Sequence, residues 1–125
     1  MPTRERVQAF IDMVVGGDHV RAIADFYHPQ ATMRENLEPP RVGRDTLMRH
    51  EQAVLDRIAS VHTHPDPTVL VEGDFVAINW TFDMTDRQGV TRRLVEVALQ
   101  RWEGDRIAEE QFFYDTASAW PITSP

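Results

Sequence analysis

The stretch ATMRENLEPPRVGRDTLMRH, residues 31–50, begins with the alternation of a β-strand and ends with the spacing of an α-helix. Ala31, Met33 and Glu35 occupy every second position. A strand over residues 31–36 therefore has all three side chains on one face. The pattern predicts a carboxylate on the same face as the apolar residues of its strand, and this carboxylate is the first candidate for a functional group.

Two short helices are predicted before this strand. The first spans residues 3–15, because its apolar residues recur at i, i+3, i+4 and i+7. Gly16-Gly17 ends it, and the second helix runs from Asp18 to the residue before Pro29. The inner faces of these helices carry three side chains that a core or a ligand can contact, namely Phe10, Val14 and Tyr27.

A third helix is predicted from about Arg44 to Ala59. Its buried side consists of Leu47, Val54, Leu55 and Ile58. His50 shares this stripe, and Glu51 lies on or beside it. Two interpretations of His50 remain open: a core histidine hydrogen-bonded to a neighbour, or an acid–base partner of Glu35 near neutral pH.

The second half of the chain is rich in branched and aromatic residues and predicts four strands. They span residues 68–72, 75–85, 91–102 and 106–115. The tripeptide Glu-Gly-Asp occurs at residues 72–74 and again at 103–105, and Asp86-Arg87-Gln88-Gly89 forms the third turn. Such tight connections predict antiparallel hairpins. The order of elements predicts an α+β fold in one domain over residues 1–125, with three helices on a curved, mostly antiparallel sheet around a cone-shaped interior.

The composition narrows the possible partners. The formal net charge of -7 opposes binding to a phosphate backbone, so nucleic acid is not an expected partner. No apolar run approaches the roughly 20 residues of a membrane span, and the charged N-terminus lacks the core of an export signal. The sequence contains no cysteine, which fits a cytoplasmic protein.

Five motifs in this order resemble those of the nuclear transport factor 2-like (NTF2-like) superfamily, and within it the SnoaL-like and ketosteroid isomerase-like proteins. They are GGD (16–18), HPQATMRE (28–35), VGRDTL (42–47), VEGDFVAINW (71–80) and RWEGDRIAEEQFFYD (101–115). The resemblance covers nearly the whole chain and implies a cone-shaped α+β barrel. The superfamily includes isomerases, cyclases, dehydratases, hydrolases and non-catalytic binding domains, so the fold alone does not define a reaction.

The resemblance also assigns roles to individual positions. Glu35 falls at the position of the isomerase branch's catalytic base. The two donors that stabilise the enolate oxygen in that branch are missing, because Phe10 replaces the tyrosine and Ala98 replaces the protonated acid. In that branch the donor pair stabilises the negative charge that develops on the oxygen. Without it we do not expect steroid isomerisation.

The last strand offers a second carboxylate. If Phe112 and Tyr114 face inward, as the resemblance implies, alternation also turns Glu110 inward. A shift of one residue would instead turn Glu109 inward. Glu96, two residues before Ala98, has a weaker claim by the same argument. Carboxylates that converge on one cavity raise one another's pKa values.

The sequence therefore predicts a protein that encloses a small hydrophobic molecule. Glu35, His50 and Glu110 are the predicted catalytic residues of a cofactor-independent acid–base enzyme. The predicted ligand-binding residues are Phe10, Val14, Tyr27, Met33, Trp80, Phe82, Ala98, Phe112 and Tyr114. The alternative is a binding or association module without catalysis.

Two further expectations concern metals and assembly. His62-Thr63-His64 could contact a metal ion from one side of a strand, but no third ligand stands at an obvious spacing, so no metal or cofactor is expected. The resemblance implies a homodimer. A physical motive supports it, because Val95, Val97 and Leu99 would otherwise form an exposed apolar sheet face.

Overall fold

The computed structural model describes residues 1–117 of the chain, and residues 118–125 of the predicted domain lie outside the described part. Its three helices are α1 (Arg4–Val15), α2 (His19–Phe26) and α3 (Arg44–Asp56). Thr3 caps α1, since its side-chain oxygen accepts a hydrogen bond of 3.1 Å from the backbone N–H of Arg6. None of the helices in residues 1–117 is long and apolar enough to cross a membrane.

Within residues 1–117, seven strands form one sheet. They are β1 (Tyr27–Glu35), β2 (Arg41–Val42), β3 (Ser60–Thr63), β4 (Thr68–Glu72), β5 (Phe75–Thr85), β6 (Thr91–Glu103) and β7 (Arg106–Phe113). The strand order is β2-β1-β7-β6-β5-β3, and β4 also pairs with β5. The β1–β7 pair is parallel and the other pairs are antiparallel. Three helices on an open, mostly antiparallel sheet confirm the predicted α+β cone.

The predicted hairpins are confirmed. β4 and β5 pair through the turn at residues 72–74, and β6 and β7 pair through the turn at residues 103–105. Gly73 and Gly104 have φ angles of 58° and 61°, a backbone region that glycine adopts without a steric cost. The repeated tripeptide is therefore explained by the turn geometry.

The boundary between α2 and β1 differs from the prediction. Tyr27 does not lie on the helix; it already has extended backbone and pairs with Ile107 of β7. The strand then shifts register between Tyr27 and Thr32. Pro29 falls inside this irregular segment, where a residue without a backbone N–H removes no regular ladder bond. The proline thus interrupts a strand instead of ending a helix.

The end of α3 was also predicted too late. The backbone N–H groups of Arg57 and Ile58 bond to carbonyls three residues earlier, which tightens the last turn. Ala59 then bonds to the carbonyl of Thr85, so the chain has already joined the sheet. The short strands β2 and β3 were not predicted. The last strand ends at Phe113, two residues before its predicted end.

The core lies between the helices and the inner face of the sheet. Phe10 of α1 is at its centre, with ring centroids 5.5 Å from Phe26, 6.5 Å from Trp80 and 6.3 Å from Trp102. Along β6 the side chains alternate between the two faces, so the polar residues Glu96 and Gln100 point inward and are buried. Buried polar side chains on β6 indicate that the interior contains a polar site as well as an apolar core.

Candidate functional site

A cavity of about 670 Å³ opens between the helices and the inner face of the sheet. All of the predicted ligand-binding residues except Ala98 line it: Phe10, Val14, Tyr27, Met33, Trp80, Phe82, Phe112 and Tyr114. Ala98 is fully buried in the core below the cavity wall. Val54, Leu55 and Ile58, predicted to be core residues, are half-buried because they border this open space. The volume is within the range of small-molecule pockets.

Glu35 lines the cavity at the end of β1, on the face that it shares with the buried Ala31 and Met33. Its Oε2 atom accepts a hydrogen bond of 2.6 Å from Nη2 of Arg41 on the neighbouring β2. Arg41 also lines the cavity. Glu35 is therefore an ion-paired carboxylate at the cavity wall.

His50 also lines the cavity, but no hydrogen bond joins it to Glu35 within residues 1–117. Burial and the positive charges of Arg41 and Arg57 lower the pKa of His50, and the charge of Glu35 acts in the opposite direction. His50 is consequently neutral at pH 7 and has a ring nitrogen available as a proton acceptor. The two residues interact through charge and not as a directly bonded pair.

Glu110 points inward and is 3% exposed, whereas Glu109 is exposed on the outer face. Both oxygens of Glu110 accept hydrogen bonds, one from the Tyr27 hydroxyl and one of 2.6 Å from the Gln100 amide. Burial raises the pKa of Glu110 to about 7, although these two bonds counteract the rise. The inward register is thus the correct one of the two alternatives.

Glu51 and Glu96 are two further cavity-lining carboxyl groups whose pKa values are raised. Burial raises the pKa of Glu51 to about 7, with a further contribution from Glu35. Burial also raises the pKa of Glu96 to about 8, with contributions from Glu110, Glu35 and Glu51. Glu96 is 9% exposed, and its side chain has no hydrogen-bond partner among residues 1–117. These shifts make both groups neutral or partly neutral acids at physiological pH.

The sequence pattern indicates that Glu51 and Glu96 both face the interior. Glu51 lies four positions after Leu47, the most deeply buried residue of α3, so it faces the same side. Glu96 and Gln100 alternate with Ala98 along β6 and must share its inward face. The role of Gln100 could not be predicted from the sequence. It depends on the hydrogen bond to Glu110, and no sequence pattern indicates that pairing.

The histidine pair at residues 62–64 does not form a metal centre in the described part of the chain. The ring centroids of His62 and His64 lie 5.4 Å apart. His64 Nε2 instead lies 2.6 Å from the carboxylate of Asp83, which also accepts bonds from Arg93. No cluster of three or more potential ligands occurs within residues 1–117.

The three helices and the curved sheet form an NTF2-like α+β cone around the cavity. The sequence profile of the SnoaL-like domain family matches residues 7–110, so the chain belongs to that family. No curated protein matches the sequence.

Solved structures with the same fold include three informative relatives. One is a candidate SnoaL-like polyketide cyclase from Mesorhizobium loti, with 22% identity and a TM-score of 0.76, covering 91% of this chain and 100% of that one. Another, from Catenulispora acidiphila, has a ketosteroid isomerase-like fold and was solved with trimethylamine. It has 18% identity, a TM-score of 0.78 and 98% coverage of both chains. A third is TerC, co-crystallised with polyporic acid, at 18% identity and a TM-score of 0.75, covering 90% and 91%.

Proposed function

We propose that the protein is a cofactor-independent acid–base enzyme for a small hydrophobic compound with a carbonyl, enol or epoxide group. The observation that carries the proposal is that Glu51, Glu96 and Glu110 line the same cavity and have pKa values raised to about 7, 8 and 7. Groups that titrate near the working pH transfer protons most effectively in both directions. Such perturbed groups cluster at functional sites.

The proposed roles follow from the contacts of each residue. Glu35 acts as the base, because its carboxylate lines the cavity on the face that it shares with the buried Ala31 and Met33. His50 or Glu110 acts as the proton partner, since both line the same cavity. Apolar and aromatic side chains hold the substrate and exclude water, chiefly Trp80, Phe82, Phe112 and Tyr114.

The family supports a ligand of this kind. The relative from Mesorhizobium loti, which also has a SnoaL-like fold, is a candidate polyketide cyclase. TerC was crystallised with an organic acid, which is further support for a small-molecule site within this fold. Sequence identities near 20% support a shared fold but not a shared reaction. The reaction and the substrate class of this chain are therefore inferred from its own cavity.

Hydrogen–deuterium exchange provides a direct test. A panel of hydrophobic ketones is incubated with the protein in D₂O, and exchange at the carbon next to the carbonyl is followed by NMR. We expect the protein to accelerate exchange for at least one ketone that binds, and Glu35→Gln to reduce the rate by about 10²-fold or more. The matched control is Glu38→Gln, which alters an exposed carboxylate three residues away.

A non-catalytic binding module is the second candidate function. The observation in its favour is the Arg41–Glu35 bond, because the guanidinium already occupies one of the two oxygens that would accept a proton from the substrate. Under this alternative, ketones bind in the cavity but their protons exchange at the rate found without protein. The same NMR series therefore separates the two functions.

The protein is also proposed to work as a homodimer. The outer face of the sheet exposes a row of large apolar side chains on β6, with Val95, Val97 and Leu99 at 51%, 40% and 39% exposure. Phe113 of β7, the cross-strand partner of Val97, is 41% exposed beside them. A contiguous apolar patch of this kind is typical of a surface that another subunit covers.

A further inference from the structure

Three buried side chains next to the cavity form a hydrogen-bonded chain with a fixed direction. The indole Nε1 of Trp102 lies 3.0 Å from Oε1 of Gln100, and an indole N–H can only donate. Gln100 must therefore use its amide nitrogen in the 2.6 Å bond to Oε2 of Glu110. Trp102 and Gln100 are almost completely buried, so neither has an alternative partner in water. Oε2 of Glu110 is consequently held as an acceptor.

The second oxygen of Glu110 has a partner that can change its role. The Tyr27 hydroxyl bonds to Oε1, and a hydroxyl can either donate or accept. When Glu110 is ionised, Tyr27 must donate to it. When Glu110 carries a proton, that proton resides on Oε1, because Oε2 is held as an acceptor by Gln100. Glu110 then donates to Tyr27, and the hydroxyl hydrogen of Tyr27 must turn away from Glu110.

We propose that Tyr27 is the hydrogen-bond donor to an acceptor oxygen of the ligand, and that protonation of Glu110 releases it for this role. Both residues line the cavity. One proton from solvent binds Oε1 of Glu110, the Tyr27–Glu110 bond reverses its direction, and the phenolic hydrogen turns toward the ligand. The inference rests on the proposed function and specifies its ligand class, a hydrophobic molecule with a neutral carbonyl-type oxygen. Tyr27 would then supply a hydrogen-bond donor that the resemblance to the isomerase branch does not, since Phe10 and Ala98 stand at the positions of that branch's two donors.

Other titrating groups also face Glu110 and must be controlled in any test of pH dependence. They line the same cavity as Glu110: His19 of α2, Glu35 of β1, Arg41 of β2, His50 and Glu51 of α3, Glu96 of β6, and Tyr114 after β7. Glu51 and Glu96 are the most important of these, because they titrate in the same range as Glu110. Glu51→Gln and Glu96→Gln are therefore the matched variants.

The experiment uses benzophenone labelled with ¹³C at its carbonyl, with diphenylmethane as the ligand that lacks the oxygen. Affinity is measured at pH 5.5 and pH 9, and the infrared stretch of the labelled carbonyl reports the hydrogen bond. For the wild-type protein we expect benzophenone to bind about tenfold more weakly at pH 9, with loss of the red shift, and diphenylmethane to bind equally at both pH values. Glu51→Gln and Glu96→Gln should keep this pH difference.

Two variants of the proposed pair give opposite results. Tyr27→Phe should bind benzophenone weakly and without a red shift at either pH. Glu110→Gln should bind it tightly at both, because the Trp102–Gln100 chain orients the new amide with its oxygen toward Gln100 and its NH₂ toward Tyr27. This variant mimics the protonated acid, and a general loss of structure would instead weaken binding at both pH values.

The inference is overturned if wild-type benzophenone binding at pH 5.5 is no tighter than that of diphenylmethane. It is also overturned if Glu110→Gln keeps the wild-type pH dependence, or if Tyr27→Phe keeps the red shift. The proposed function fails separately. A red shift of bound benzophenone with no acceleration of proton exchange in the separate ketone panel removes the catalysis but leaves the Tyr27 donor. Accelerated exchange in the panel with an unshifted benzophenone carbonyl does the reverse.

Discussion

Nη2 of Arg41 lies 2.6 Å from Oε2 of Glu35, and the pair bridges the antiparallel strands β1 and β2 at the cavity wall. The side chains are only 24% and 15% exposed, so water screens this charge pair weakly. The charge of the Arg41 guanidinium therefore also affects the pKa values of residues other than Glu35. Its charge lowers the pKa of His50 and counteracts the burial that raises the pKa of Glu51.

Replacing this guanidinium should change the titration of its neighbours. In Arg41→Met, we expect the pKa of His50 to rise, because the variant loses a positive charge that disfavours the imidazolium and leaves the Glu35 charge uncompensated. NMR titration of the His50 ring measures the change. Arg34→Met is the control, since Arg34 bonds to the carbonyl of Asn36 and not to Glu35. An unchanged or lower pKa of His50 in Arg41→Met would contradict the geometry.

The buried carboxyl groups should make the protein less stable as pH rises. Glu51, Glu96 and Glu110 have pKa values of about 7, 8 and 7, against an ordinary value of 4.5. The folded chain therefore binds more protons than the unfolded chain between these limits. The contribution of each group is fully present below about pH 4.5 and is lost as pH rises through its folded pKa. We expect the free energy of unfolding, measured with urea, to fall between pH 6.5 and pH 8.5.

Glu96→Gln tests how much one buried carboxyl group contributes to the loss of stability at high pH. Glu96→Gln removes a carboxyl that has no hydrogen-bond partner in residues 1–117, so the variant should be more stable than the wild type by about 1–3 kcal/mol at pH 8.5 and nearly equal to it at about pH 4. Glu103→Gln, an exposed position on the same strand, is the control and should change little at either pH. Equal stability of Glu96→Gln and the wild type at pH 8.5 would show that Glu96 is not desolvated.

The sequence was sufficient for the parts of the fold that depend on local patterns. Turn chemistry predicted the three hairpins, and alternation along β1 put Glu35 on the cavity side. The end of α2 could not be predicted in this way. Tyr27 fits a helical stripe by spacing, but its pairing with Ile107, about eighty residues later, determines its conformation. Long-range strand pairing has no local signature.

The candidate site was predictable only in part for the same reason. Alternation identifies which side chains face inward, and it led to Glu110. It does not show which of them bond to one another, so the chain from Trp102 through Gln100 to Glu110 could not be predicted. Nor does it show that Arg41, two strands away from Glu110, would bond to Glu35. Bond directions and pKa shifts arise from three-dimensional contacts.

The proposed dimer gives a prediction about molecular mass. Val97→Asp and Leu99→Asp add charges to the apolar outer face, where a charge left without a partner in an interface is costly. We expect light scattering to give the 14.4 kDa of one chain for these variants and twice that mass for the wild type. Leu37→Asp is the matched control, since Leu37 is exposed in a loop outside the sheet and its variant should remain dimeric. A wild-type mass of one chain would refute the dimer.

Two leucines of α3, Leu47 and Leu55, lie in different environments, one in the core and one at the cavity wall. Leu47 of α3 is 1% exposed and packs in the core, whereas Leu55 is half-buried and borders the cavity. Leu47→Ala should reduce the free energy of unfolding by about 2–4 kcal/mol, because the removed methyl groups leave a void among packed neighbours. Leu55→Ala should cost about 1 kcal/mol or less, since its side chain already faces open space, but it should weaken binding of a hydrophobic ligand such as benzophenone. Urea unfolding and ligand titration measure the two effects. Equal destabilisation by both variants would mean that the cavity is closed around Leu55 and filled by protein side chains.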